Sequence, residues 1–343
     1  MRKIIVTFAL ASGLFMWQCT KIDQELSLKE SLAKSSARIN NAVSEISATK
    51  GYELMSVTGD EFKSEEGYND SIALDLIAGI YEFQPAPFYY GHFNRSMWFY
   101  KKTGESDNLI VRLPQRLVFH PKYLHLVYAF DTEPVNNFEI NASEYHYYYS
   151  LWNRYDYRLA AGFLLDGEDI GTLEVTDISN SFTDRSYSSK FAFTDDYSIE
   201  VSRQTGDTVI TSFGLYEGDE SLLKESVYRI RNENRFVEIK YVLSIGNVDI
   251  VRTTGIDSIQ VFLDGVLQKT AAVKITDDDT DENTSVCRKR DILLTFDDGT
   301  TQRLSELIEP ARTKLRTLLS TMHSMYFAKH VVDYIAMSIY YYR

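Results

Sequence analysis

From about residue 70 onward the chain is built of short runs in which apolar and polar residues alternate, separated by turn residues. Alternation with a period of two puts every second side chain on one face of a strand. The pattern predicts strands over Ile77–Phe83, Ser96–Lys101, Leu109–Leu113, Leu124–Phe130, Tyr157–Leu165, Thr172–Val175, Lys190–Phe193, Ser198–Arg203 and Thr208–Leu215. It continues through Ser226–Ile230, Arg235–Ile245, Asp249–Thr253, Ser258–Leu263, Ala271–Ile275 and Asp291–Phe296. The breaks include Asp166-Gly167, Gly206-Asp207, Gly246-Asn247, Asp264-Gly265 and Asp298-Gly299. Asp-Gly between alternating runs signals a tight hairpin, because the favoured two-residue turns need positive φ. Hairpins without a βαβ rhythm predict a mainly β fold, an antiparallel β-sandwich or barrel with a C-terminal α-helical segment.

The two ends follow another period. Between Gln24 and Lys50 the apolar positions are Leu28, Leu32, Ile39, Val43 and Ile46 in a polar background, which predicts a tether running into a short helix. After Pro310, a residue suited to the first helical turn, Ala311, Leu315, Leu318, Met322, Met325, Lys329, Val332, Ala336 and Ile339 recur in steps of four and three. Such a ladder fits a helix packed along a sheet or a self-associating one. Lys329 breaks the apolar line, and with Asp333 it argues against a membrane span.

Phe163-Leu-Leu-Asp-Gly and Val261-Phe-Leu-Asp-Gly each lead through a Thr-Asp strand end to an acidic turn. The spacing drifts, so hairpins alike by chance explain the likeness better than duplication. The chain is read as residues 1–18, 19–50, 51–216, 217–304 and 305–343: signal, lipidated tether with a short helix, β-rich domain, second β-rich unit and C-terminal helix.

The first segment changes the picture most. Arg2 and Lys3 precede a 14-residue apolar run, Ile4–Trp17, and Cys19 follows, with Thr20-Lys21-Ile22-Asp23-Gln24-Glu25 turning polar. The run suits a signal-peptide core and is short for a permanent span. It resembles a bacterial lipoprotein signal, although Met16 and Gln18 stand where Leu and a small residue are usual. The resemblance implies cleavage before Cys19 and acylation of that cysteine, with two or more chains giving stable anchorage. An uncleaved anchor is the alternative.

Removing residues 1–18 takes two positive charges, so the net charge of -13 becomes -15. An acidic chain is a poor partner for nucleic acid, whose phosphates demand clustered Lys and Arg. Only Cys287 remains beside Cys19, so an internal disulfide is not available once Cys19 is acylated. Arg288, Lys289 and Arg290 could lower the Cys287 thiol pKa, but no His lies near it in sequence. The 24 Tyr and 19 Phe fit pleated, half-buried surfaces and reinforce the β reading.

Candidate chemistry is sparse. Thr295-Phe-Asp-Asp-Gly is similar to the first motif of polysaccharide deacetylases, which would make Asp297 and Asp298 base and metal ligand. No His-x-x-x-His pair or room for that family's barrel follows, and a hairpin turn explains the same residues. Asp277-Asp-Asp-Thr-Asp-Glu-Asn283 offers alternate carboxylates, yet Glu282 and Arg288 occupy the places where a calcium loop needs Gly and Glu. The six histidines form no metal-binding spacing, and no Walker, G-x-S-x-G or G-x-G-x-x-G motif occurs. No cofactor is implied.

The densest aromatic stretch, Glu144–Tyr157, is the candidate binding site. Tyr145, Tyr147, Tyr149, Trp152 and Tyr155 could stack on sugar rings, and Arg154 could add cation–π contacts. Alternatively these rings fill the core. The whole plan resembles the cell-envelope lipoproteins of Bacteroidetes-type bacteria, and Asp70-Ser-Ile, Asp207-Thr-Val and Asp257-Ser-Ile look like their short O-glycosylation sequons. That resemblance implies a protein anchored at the outer membrane, facing the periplasm or the surface. The function expected is a non-catalytic module holding a glycan or an envelope protein. A glycan-acting hydrolase, or a structural subunit assembling through the C-terminal helix, is the alternative.

Overall fold

Alternating strands need a neighbour on each edge and a covered apolar face, and the chain meets both needs in one long sheet. The computed structural model describes residues 26–56, 71–84, 100–115, 135–150, 154–181, 184–231, 237–256, 258–277, 290–308, 311, 314 and 322–341. Its early elements are α1 (Leu28–Ser47), α2 (Lys50–Ser56), β1 (Ser71–Ala73), α3 (Leu74–Ile77), β2 (Gly79–Phe83), β3 (Tyr100–Gly104) and β4 (Leu109–Leu113). The central strands are β5 (Phe138–Ser150), β6 (Arg154–Leu165), β7 (Glu168–Ser179), β8 (Arg185–Ala192), β9 (Tyr197–Gln204), β10 (Thr208–Glu217) and β11 (Glu220–Arg231). Then follow β12 (Val237–Ile245), β13 (Val248–Thr253), β14 (Gln260–Leu263) and β15 (Val266–Leu267). The chain closes with β16 (Ala272–Asp277), β17 (Arg290–Thr295), β18 (Thr301–Arg303), α4 (Leu304–Leu307) and α5 (Met322–Tyr341).

Among the described residues, fifteen strands form one sheet and three form another. From β5 to β15 each strand pairs with the next in sequence, all antiparallel, and β4, β2 and β3 complete the far side with β1 beside β5. The pair β2–β4 is parallel. The expected class, mainly β and antiparallel with a C-terminal helix, is what the structure shows. The hairpin signals are seen as backbone geometry: Asp166 and Gly167 have φ of 53 and 80, and Asp264 and Gly265 have 50 and 76. The two look-alike sequences are thus the same kind of turn, one joining β6 to β7 and the other β14 to β15. The division at residues 216 and 217 falls in the β10–β11 hairpin, where Thr208–Glu217 pairs with Glu220–Arg231 in a sheet that runs on unbroken.

The helices lie on one face of the long sheet, and their apolar faces join its apolar rows in a shared core. In α1 the residues Leu28, Leu32, Ile39, Val43 and Ile46 are all buried. Their steps of four, seven, four and three are one face of an α-helix. The helix expected within residues 19–50 is thus seen as Leu28–Ser47, 20 residues long rather than short and docked on the body, because that stripe needs apolar cover that solvent cannot supply. Its start is set by a reciprocal capping box, in which Ser27 Oγ accepts from the Glu30 N–H and Glu30 accepts from the Ser27 N–H at 3.0 Å. Contact is close at Gly246, where an added Cβ would lie 2.3 Å from Ser35 Oγ at a φ of +57. Polar ties sit around the rim. Arg38 bridges Glu217 and Glu220 of the β10–β11 hairpin, and Lys29 binds Asp298 at 3.0 Å and Thr300 at 2.9 Å. Such exposed pairs set register more than stability.

Asp298 belongs to the turn between β17 and β18, with Gly299 at a φ of 76. The Thr-Phe-Asp-Asp-Gly stretch is thus a hairpin. Asp298 accepts from the Thr300 side chain and backbone N–H and from Lys29, which hold its carboxyl down at about 2. The acidic stretch 278–289, with Cys287, lies outside the described residues.

Candidate functional site

Strands β5 and β6 form the tyrosine-rich hairpin. Their register sets Tyr147 against Tyr157, Tyr149 against Tyr155 and Tyr145 against Leu159, so the rings of one alternation phase gather on the helix side of the sheet. They are covered there by α5. Tyr145 is 2% exposed and Tyr147 5%, so these two do not offer their faces to solvent. Tyr149 and Tyr155 are half-buried against the same cluster, and Arg154 is exposed at the start of β6. Tyr155 stacks on Tyr157 with ring centroids 6.3 Å apart. Trp152 and Cys19 lie outside the described residues. The candidate platform is thus largely the floor beneath a helix, for a reason invisible in composition: alternation decides which rings share a face, and the fold decides what covers that face.

What covers it is charged. From α5, Lys329 and Asp333 point onto the tyrosines, and each is only 9% exposed. Tyr157 donates to Asp333 Oδ1 at 2.7 Å and Tyr145 to the same oxygen at 3.3 Å. Lys329 Nζ donates to Asp333 Oδ2 at 3.0 Å and sits 4.0 Å from the centre of the Tyr157 ring. Beside them Asp177 is buried on β7 and gripped by Arg185 through two bonds of 2.7 and 2.5 Å. Burial, with the Asp333 charge added, pushes the Tyr145 and Tyr157 hydroxyls well above their ordinary value. Both therefore stay protonated and act as donors. Burial alone would lower Lys329, but the charge and hydrogen bond of Asp333 more than offset it and the net direction is upward. A lysine held charged in this way is not a nucleophile. The cluster can do one thing well, which is to lock α5 onto β5–β7.

The rest of that face differs. The row under α5 (Tyr147, Tyr157, Asp177) continues across the sheet through Tyr187, Arg203, Thr211, Val227, Tyr241 and Arg252, each opposite the next. Beyond Tyr187 on β8, which is half-buried against the core, the helices no longer cover it. Arg203, Thr211 and Arg252 are exposed and Tyr241 is 44% exposed. The neighbouring row adds Val209, Arg229 and Ile239, and Arg231 continues the alternation at the margin. On the other side, toward α1, the row of Phe213, Glu225 and Leu243 begins the core, with Glu225 exposed. The result is a strip of sheet floored by arginine, tyrosine and β-branched residues on the face that also carries α1 and α5. Arg38, Arg112, Arg158 and Arg185 each hold a carboxylate. Among the described residues, Arg203, Arg229 and Arg252 hold none.

These residues do not stand out in the sequence. Their signal is a phase: each arginine sits an even number of residues from apolar core positions of its own strand, such as Ile199 for Arg203 and Ile250 for Arg252. Only register brings separate strands' arginines together. Among the described residues no group of three or more His, Cys, Asp or Glu is placed to hold a metal ion, and no helix is long and apolar enough to cross a membrane. The chain matches no protein-family model, no curated protein and no solved structure in the three comparisons made.

Proposed function

We propose that this protein is an envelope lipoprotein, tethered to the outer membrane through acyl chains on Cys19, whose body is a non-catalytic binding module for a glycan or an envelope protein. The observation that carries the binding reading is the open strip around Arg203, Thr211, Tyr241 and Arg252. It presents rings and donors to solvent on a rigid sheet, while the buried Lys329–Asp333 cluster is spent on packing. Binding by preformed sheet side chains needs little ordering and so keeps most of its contact energy.

Two measurements test this. A fatty-acid analogue fed to cells is expected to label the wild-type chain and not Cys19→Ala; equal labelling of both removes the anchor from the proposal. A panel of soluble glycans and envelope extracts is expected to show binding without released product, weakened roughly tenfold by Tyr241→Ala, since a ring stacked on a ligand contributes about 1–3 kcal/mol by the measure of base stacking. Turnover lost on mutating a carboxylate pair, with Tyr241→Ala unaffected, identifies a hydrolase instead.

A further inference from the structure

We infer that the open strip binds an acidic polysaccharide, one whose carboxylate or sulfate groups recur along the chain and meet Arg203, Arg229 and Arg252. This rests on the reading of the body as a binding module and names the ligand class of that same strip.

Three observations lead there. The first is charge. The protein has 49 Asp and Glu against 36 Lys and Arg, so an arginine finds a carboxylate easily, and Arg38, Arg112, Arg158 and Arg185 have done so. Arg203, Arg229 and Arg252 share one face, are exposed and hold none among the described residues. Guanidinium forks match carboxylate and sulfate oxygens bidentately. Among the described residues Glu225 is the unpaired acid on this strip, and it lies one row toward α1 from Arg203 and Arg252.

The second is spacing. The three arginines stand on β9, β11 and β13, every second strand, so successive ones are about 10 Å apart across the sheet. A linear polyuronate carries a carboxylate on every sugar ring, so every second one recurs at a comparable repeat. Between the arginines lie Thr211, Val227 and Tyr241, a hydroxyl, an apolar step and a ring suited to sugar hydroxyls and faces.

The third is relief. The strip lies on the face that carries α1 and α5, and a helix with its side chains is about 10–12 Å thick. The arginines therefore form the floor of a recess. A flat bilayer would meet the helices first, whereas a single polymer chain can lie along the floor. This favours a polysaccharide over anionic lipid headgroups.

The test uses the full-length protein in detergent and isothermal titration with polygalacturonate, against neutral dextran, glycerol 1-phosphate as the headgroup probe and a poly-dT oligonucleotide. Polygalacturonate is expected to bind, with affinity falling roughly tenfold or more in Arg203→Gln/Arg229→Gln/Arg252→Gln and again as salt rises. Dextran and glycerol 1-phosphate are expected to bind at least tenfold more weakly. Glu225→Gln, which removes the opposing charge, is expected to tighten binding a few-fold, a gain that a folding defect cannot mimic. Equal affinity of the triple variant, tighter binding of dextran, glycerol phosphate or poly-dT, or no binding of polygalacturonate overturns the inference. In those cases the binding-module reading still stands if a neutral glycan or envelope protein is held without turnover and released by Tyr241→Ala.

Discussion

Asp333→Ala is expected to destabilise the protein by about 3–5 kcal/mol in urea unfolding, one of the two largest single-residue effects anticipated here. The substitution removes the acceptor of Tyr157 and Tyr145 and the partner of Lys329 together. Lys329 is then a buried cation without its hydrogen-bonded carboxylate, and two buried hydroxyls lose their bond. The cost is mostly that of the groups left behind. For that reason the variant Lys329→Met/Asp333→Leu/Tyr145→Phe/Tyr157→Phe, which removes the charges and the hydroxyls together, is expected to lie close to the wild type, since apolar residues of similar size fill the same space. The pH dependence follows from Lys329. Its folded value is raised above that of the unfolded chain, so its contribution is complete below the ordinary lysine value and fades only as pH rises through the raised one. The contribution of Lys329 should therefore be flat across the neutral range. A loss below about 1 kcal/mol for Asp333→Ala would mean that α5 is not locked by this cluster.

Leu32→Ala is expected to cost about 2–5 kcal/mol, the range for truncating a fully buried leucine. Leu32 is 0% exposed in α1, between the helix and the sheet. A flexible tether would feel nothing, so the same measurement separates a docked helix from a spacer. Lys34→Ala, on the exposed side of α1, serves as the control and is expected to change stability by no more than about 0.5 kcal/mol. The consequence is spatial. With residues 28–47 packed on the body, this segment adds no reach as a spacer.

Local chemistry made much of the fold legible. Asp166-Gly167 and Asp264-Gly265 are turns because positive φ is cheap there, and the strands around them alternate because one face is buried. Ends were less clear: β5 begins at Phe138 and reads only as an aromatic run, and β15 is two residues long. The ladder of Val332, Ala336 and Ile339 is buried as its spacing implies, and Lys329 breaks it because the surface opposite is polar. The spacing of Leu28, Leu32, Ile39, Val43 and Ile46 is likewise helical in the sequence. That this stripe is docked is not.

The site was less legible than the fold. Tyr145 and Tyr147 attract attention because four tyrosines crowd into residues 145–149, and they are buried. Arg203, Arg229 and Arg252 attract none, being separated by more than twenty residues each, and they share an exposed face. By itself the sequence determined the strands, the hairpins and the apolar faces, since each depends on residues close together in the chain. Only the tertiary structure decided which rows lie under α1 and α5 and which stay open, because cover and cross-strand register are relations between distant segments. That is why the tyrosine hairpin serves as a floor for α5 and the open strip beyond it has the exposure and charge a ligand needs.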